Sequence, residues 1–412
     1  MRRPAALVLL VVLFLLVVVV LLTVPLSVLP GAHLRVDVAR DFSAAERARE
    51  VRFHRAIHPP AYAALALGLA VSAALGLSRL GPRLVAALPG GWILQTLLAV
   101  VVLLAIGSFV TLPLDARAEV VLRRYGLSTQ TWGGWLADRL KGLGIGALTT
   151  ALVVLVVVAL ARRAPAAWWA WASLAAAGLV LAGSFAYPVL VEPAFNRFTS
   201  LPTGQLRSDL LELAARDQVP VRDVLVADAS RRTTALNAYV SGFGSTRRIV
   251  LYDTLLASSS PREVELVVAH ELGHAKRQDV LHGTAIGALG AAAGLCALFL
   301  VLQSGWVLRR VGAAGAGDPK IIPLVLFGAA ATTFALSPLT NLLSRQIEAR
   351  ADVHALELTR DVPTFIASEH RLSTVNLSTL DPAPLVYLLF FDHPSGPQRI
   401  ALARAWAALH PR

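Results

Sequence analysis

Cysteine is nearly absent from this chain of 412 residues: Cys296 stands alone, which excludes an intrachain disulfide and any metal centre built from several thiolates. Charge is scarce as well. Charged residues make up 16% of the chain and apolar ones 56%, with a mean hydropathy of +0.63, a balance foreign to water-soluble domains. Lysine is almost missing, since 35 of the 38 basic residues are arginine, a bias expected of a GC-rich coding genome and suggestive of a bacterium. No repeat of solenoid period is visible. No small-residue cleavage site follows the first apolar run, so that run reads as a membrane anchor in place of a removable signal.

Long apolar runs are what the chain has in abundance. Residues 5–22 are apolar without a break, 18 positions that cross a hydrocarbon core of roughly 30 Å as a helix once their flanks are included. Further runs at about 61–77, 92–112, 143–161, 168–191, 284–308 and 321–339 bring the expected number of spans to seven. Membrane lipid is therefore the first expected partner. The segments after spans one, three, five and seven carry 29 basic residues and the others 9, so the positive-inside rule puts the N-terminus outside and the richer side in the cytoplasm. The net charge of +12 is read as this asymmetry, and nucleic acid is not an expected partner.

Three stretches are long and polar enough to face water: 31–60, 192–281 and 341–412. The last two flank spans six and seven and are expected to form one domain at one membrane face, interrupted by a transmembrane hairpin at about 282–340. Residues 224–226 and 248–252 read as strands, and 238–252 as a hairpin turning through Ser241, Gly242, Phe243 and Gly244. Ser260, Pro261 and Glu263 then mark a helix start: a hydroxyl at the N-cap, proline at the first helical position and a carboxylate at the third.

That helix carries Ala269-His270-Glu271-Leu272-Gly273-His274, an H-E-x-x-H pattern. Residues four apart share a helical face, so both imidazoles converge on one ion while Glu271 stands beside a water activated there, as its general base. Catalytic zinc takes three protein ligands and leaves a place for water. A third histidine close behind the motif is absent, which points to a glutamate on a later helix, and Glu348, in the stretch Ser344 to Asp352, is the candidate. Asp352 lies one turn beyond and faces the same way, placed to accept a hydrogen bond from a ligating histidine and fix its tautomer.

Taken in order, Arg124 to Leu127, Asp138 to Lys141, Glu192 to Phe198, Asn237-Ala238-Tyr239, Leu251 to Leu255, the metal motif, Glu348 to Asp352 and Asp392-His393-Pro394 through Arg399-Ile400 form an ordered set. In it the chain resembles the type I CAAX prenyl protease family, integral-membrane zinc endopeptidases that cut near prenylated C-termini and include bacterial relatives of broader role. The resemblance covers most of the chain. It implies a mainly α, polytopic protein with seven transmembrane helices around an intramembrane chamber and a small α+β zincin-like catalytic domain at the mouth. It implies one Zn2+ per chain on His270, His274 and Glu348, with His393 stabilising the tetrahedral intermediate and Arg399 as further transition-state support. It also implies an edge strand at Asn237, Ala238 and Tyr239 that pairs with the substrate backbone.

On this reading residues 1–192 form an N-terminal membrane domain with five transmembrane helices, and 193–412 the zinc metallopeptidase domain. One departure bears on substrate. Ala275-Lys276-Arg277-Gln278-Asp279 follows His274, where prenyl-processing members commonly carry an aromatic residue and a further histidine. The expected substrate is therefore a membrane-associated polypeptide, lipidated or misfolded. An intramembrane-cleaving zinc protease is the competing enzyme, disfavoured by Glu263, Glu265, Lys276, Arg277 and Asp279 around the motif. A transporter or receptor with a coincidental motif is the non-enzymatic alternative, and neither requires bound zinc.

Overall fold

The computed structural model describes residues 2–25, 27–31, 34–242 and 244–411. Among the described residues, seven helices are long and apolar enough to cross a membrane, at Arg3–Thr23, Ala44–Leu77, Trp92–Arg124, Trp132–Arg163, Trp168–Phe195, Asp279–Leu302 and Pro319–Thr359, matching the number expected. Neighbour packs on neighbour in the order one, six, five, four, three, two, seven. No more than 28% of any span's most apolar window is buried, so the spans form a single-layer wall and not a solid bundle. The wall is drawn together at the end remote from the metal motif. There Ala5, Ala161, Trp168, Phe299 and Ile321 bring spans one, four, five, six and seven into one apolar cluster. Spans six and seven part company below it, six packing on one and five, and seven on two. Among the described residues, spans seven and one do not pack along their length, which leaves a seam in the wall.

Several helices overrun the apolar runs that announced them. Span two begins at Ala44 and not near 61, because Ser43 and Glu46 form a capping box, with the Ser43 N–H on Glu46 Oε2 at 2.7 Å. Much of the polar stretch 31–60 is thus helix and not loop. Span six stops at Leu302, short of the expected 308, and Gly305–Val311 forms a separate short helix. The helix of span seven, Ile322–Thr359, has 38 residues. At 1.5 Å per residue it is about 57 Å long, nearly twice the hydrocarbon thickness. Its second half therefore leaves the apolar zone and carries Glu348 and Asp352 into the polar domain.

Among the described residues, four strands make the small sheet: β1 (Phe198–Ser200), β2 (Asp223–Ala227), β3 (Ala238–Ser241) and β4 (Arg248–Tyr252), in the order β1-β2-β4-β3. β3 and β4 are the expected antiparallel hairpin, while β1 escaped the sequence reading because it has only three residues. Phe243, placed in the turn by sequence, lies outside the described residues. Gly242 in the same turn has φ +91°, and a Cβ there would stand 2.7 Å from the Thr246 carbonyl oxygen. Val224, Ile249 and Leu251 pack with Leu210 of helix Gln205–Arg216 and with Val264, Val268 and Leu272 of the motif helix in the main core of the domain. That core fixes the motif helix against the sheet and leaves β3 as a free edge.

Candidate active site

The motif helix, Pro261–Lys276, starts where the sequence places it. Ser260 N–H donates to Glu263 Oε2 at 2.7 Å, Glu263 N–H donates to Ser260 Oγ at 3.4 Å, and Pro261 occupies a position that needs no donor. Leu272 and its apolar partners one turn apart face the core, so His270, Glu271 and His274 come round to a cavity of about 870 Å3, which β3 and the chain's tail also line. The helix ends at Lys276. Gln278 takes a left-handed conformation, φ +56°, and span six begins at once with Asp279 beside His274.

His270 Nε2 and His274 Nε2 lie 3.1 Å apart, and the Glu348 carboxylate is 3.2 Å from the first and 3.6 Å from the second. Ligand bonds of about 2.0–2.1 Å in a tetrahedral site set donor-to-donor edges of about 3.3 Å, so these three side chains already have the spacing of a metal's ligands. Each imidazole turns its other nitrogen to a carboxylate: His270 Nδ1 to Asp352 Oδ1 and His274 Nδ1 to Asp279 Oδ2, both at 2.9 Å. With Nδ1–H donating, both Nε2 lone pairs point at one another, an arrangement a cation relieves. The surrounding acids ask for positive charge. Burial alone would lower His270, yet hydrogen bonds to Asp352 and Glu348 hold it up at about 10; Asp279 and Glu348 likewise hold His274 at about 9 against burial.

Glu271 lines the cavity next to this cluster, and burial pushes its carboxyl above the usual range, which makes its carboxylate a stronger proton acceptor. His393 reaches in from the tail, its Nε2 3.4 Å from Glu348 Oε2 and its Nδ1 2.9 Å from Asp392 Oδ1. Arg399 sits behind His270: Nε donates to Asp352 Oδ2 at 2.8 Å and Nη1 pairs with Glu369 at 2.9 Å. Asn237, Ala238 and Tyr239 line the cavity along its β3 side. Tyr252 N–H bonds the Asn237 carbonyl, so by antiparallel alternation Tyr239 also faces β4, and the main-chain groups of Ala238 and Val240 face outward.

Three residues with roles here escaped the sequence reading. Asp279, seen only as a charge flanking the motif, holds His274. Glu369 anchors Arg399 from within helix Val362–Val375, and no spacing rule ties it to the motif. Arg345, which by pattern looks like a surface charge, is buried and donates through Nη1 to the carbonyls of Tyr387 and Phe391, setting the loop that presents His393.

The sequence matches the family model described as peptidase family M48 over residues 200–407, and that described as the CAAX prenyl protease N-terminal part, five membrane helices, over 62–197. The chain belongs to peptidase family M48. It is 35% identical over 309 residues to the uncharacterized metalloprotease YhfN of Bacillus subtilis, covering 74% of this chain and 72% of the relative. To the CAAX prenyl protease 1 homolog of Arabidopsis thaliana it is 30% identical over 322 residues, 76% of this chain and 74% of that one. The crystal structure of S. mikatae Ste24p has the same fold, with a TM-score of 0.79 at 21% identity over 95% of this chain and 97% of the other. The M48 protein is thus an integral, multi-pass membrane metalloendopeptidase, its helices walling a chamber and its substrate a polypeptide.

Proposed function

We propose that this M48 peptidase binds one Zn2+ through His270, His274 and Glu348 and hydrolyses peptide bonds of membrane-associated proteins. The convergence of the two Nε2 atoms and the Glu348 carboxylate, with each Nδ1 fastened to an aspartate, carries this reading. When bound, the metal supplies Lewis acidity toward the peptide carbonyl and acidifies water. Glu271 takes the proton of the attacking water and hands it to the departing amine. His393 donates to the carbonyl oxygen as negative charge gathers there, and Asp392 keeps its imidazole oriented. Arg399, with Asp352 and Glu369 on its nitrogens, supports the transition state through Asp352 and His270 and not by direct contact. An extended peptide pairs with the outward groups of Ala238 and Val240, displacing the Asn237 Oδ1 that accepts from the Ala238 N–H at 2.9 Å, and is held by its backbone without its side chains being read.

Broad substrate use follows from that mode of binding. Relatives carry CAAX prenyl protease names, and the same chemistry serves a lipidated C-terminus or a misfolded membrane protein. Asp279 favours the second, since it is spent on His274 and Arg350 and leaves the cavity no additional imidazole there. We place residues 1–192 and 193–412 as the two domains, in a bacterial cell membrane with the N-terminus outside and the metal at the cytoplasmic face. A single cysteine at Ser378, after Cys296→Ala, is expected to resist impermeant thiol reagent in intact cells; labelling there reverses the orientation. Glu271→Gln is expected to retain one zinc and to lose cleavage of a casein-like peptide by about 10^2-fold or more. Full turnover in that variant removes Glu271 as the base.

A further inference from the structure

The two histidines are held in different ways, and the one nearer the membrane leads out of the catalytic domain. Asp279 Oδ2 accepts from His274 Nδ1–H, and its other oxygen accepts from Arg350 Nη2. The same guanidinium crosses the seam in the wall: Nη1 donates at 2.6 Å to the main-chain oxygen of Thr23, the last residue of span one. The final carbonyls of a helix have no partner within it and carry the negative end of its dipole, so a cation is the donor that suits them. Arg350 and Asp279 side chains are 19% and 10% exposed, which keeps the pair sheltered from screening.

We propose that Asp279 and Arg350 are positioning residues that couple the seating of His274 to closure of the seam between the first and seventh spans. The inference rests on His274 being a metal ligand. Asp279 fixes the Nδ1–H tautomer and makes Nε2 a better donor; Arg350 fixes the rotation of Asp279; Thr23 fixes Arg350. When span one moves away, Arg350 loses its second acceptor, Asp279 is free to turn, and His274 loosens while His270 stays braced by Asp352. By reciprocity, metal at His274 favours the closed seam.

Cobalt titration of the full chain in detergent, read by the ligand-field spectrum and by competition with a chelator, tests this without reference to turnover. Asp279→Asn and Arg350→Gln are each expected to weaken cobalt binding by about 10- to 100-fold. The double variant is expected to be no weaker than the poorer single one, because Arg350 acts through Asp279. Arg350→Lys, whose donors all sit on one nitrogen in place of the two that reach Thr23 and Asp279, falls between parent and Arg350→Gln. Val24→Pro forces Thr23 toward extended backbone and swings its carbonyl away, and a several-fold loss is expected with all ligands intact. Parent-like affinity in Arg350→Gln, Arg350→Lys or Val24→Pro, or multiplicative losses in the double variant, overturns the coupling. A parent that takes up no cobalt overturns the metal reading itself, and this inference with it.

Discussion

His270 and His274 stand one turn apart on one helix, yet their surroundings could hardly differ more. His270 is backed by Asp352, which is fully buried, then by Arg399 and by Glu369, which is 3% exposed, all within the polar domain. His274 is backed by Asp279, then Arg350, then the end of a membrane helix. The first relay ends on a charge in the dry core, the second on a backbone carbonyl at a seam. A buried chain of alternating charges is stiff, because every displacement exposes an unpaired ion; a carbonyl at a helix end moves with its helix. One histidine is thereby anchored and the other is responsive, within one cluster.

Among the described residues, Glu348 joins both relays, since its carboxylate approaches both Nε2 atoms. Glu348→Ala is therefore expected to have the largest effect, metal content near zero in the purified protein; full occupancy moves the third ligand elsewhere. Asp352→Ala breaks only the stiff relay. It strips Arg399 of its bonds to Asp352 and leaves Glu369 as the remaining carboxylate partner, at a cost of about 1.5–3 kcal/mol in stability, and weakens metal by about 10- to 100-fold. Asp279→Asn lacks the first of these penalties because Asp279 lies at the edge of the site. Equal loss of stability in Asp352→Ala and Asp279→Asn, read from thermal midpoints in detergent, would erase the distinction between the relays.

A pH dependence separates them further. Burial pushes the Glu369 carboxyl up to about 7 against the pull of Arg399, from an ordinary value of 4.5. The folded chain then binds that proton more tightly than the unfolded one, so the contribution to stability is complete below about pH 4.5 and is lost as pH rises through about 7. Glu369→Gln removes this titration. The variant is expected to lose less stability than the parent between pH 5 and pH 8, by on the order of 2 kcal/mol. Parallel pH profiles of the thermal midpoint would mean that Glu369 stays ionised throughout.

How much of this was legible in the sequence depended on whether the signal was local. Seven apolar runs, the capping box at Ser260 and the His270–Glu271–His274 spacing each lie within one element, and the structure shows each element there. The continuity of the Glu348 helix with span seven leaves no trace in hydropathy, because the apolar run ends at 339 while hydrogen bonding carries the helix on to Thr359. Asp279 was passed over for a different reason. It is five residues from His274, off the helical face, and meets it only because Gln278 turns left-handed between the two helices. Partners such as Thr23 with Arg350, or Arg345 with Phe391, are 327 and 46 residues apart and leave no periodic trace.

The smallest expected effect is one that must spare the comparison altogether. Ser260 caps the helix that carries both histidines, so a change there acts on the two relays equally or on neither. Ser260→Ala removes the hydroxyl that accepts from Glu263 N–H, a long bond of 3.4 Å. The reciprocal bond, from Ser260 N–H to Glu263 Oε2 at 2.7 Å, uses the main chain and survives, and Arg371 Nε continues to hold the other Glu263 oxygen at 2.8 Å. Only one weak cap is lost, which places the cost near the lower end of the usual range, about 0.5–1 kcal/mol. The histidines lie beyond the first two turns of that helix, pinned by Val264, Val268 and Leu272 in the core, so fraying at Pro261 does not reach them. A small drop in the thermal midpoint with cobalt affinity, ligand-field spectrum and kcat/KM all unchanged is the expected result. A loss of cobalt affinity comparable to that of Asp279→Asn would show that the helix, and not the two carboxylate relays, sets the position of the metal ligands.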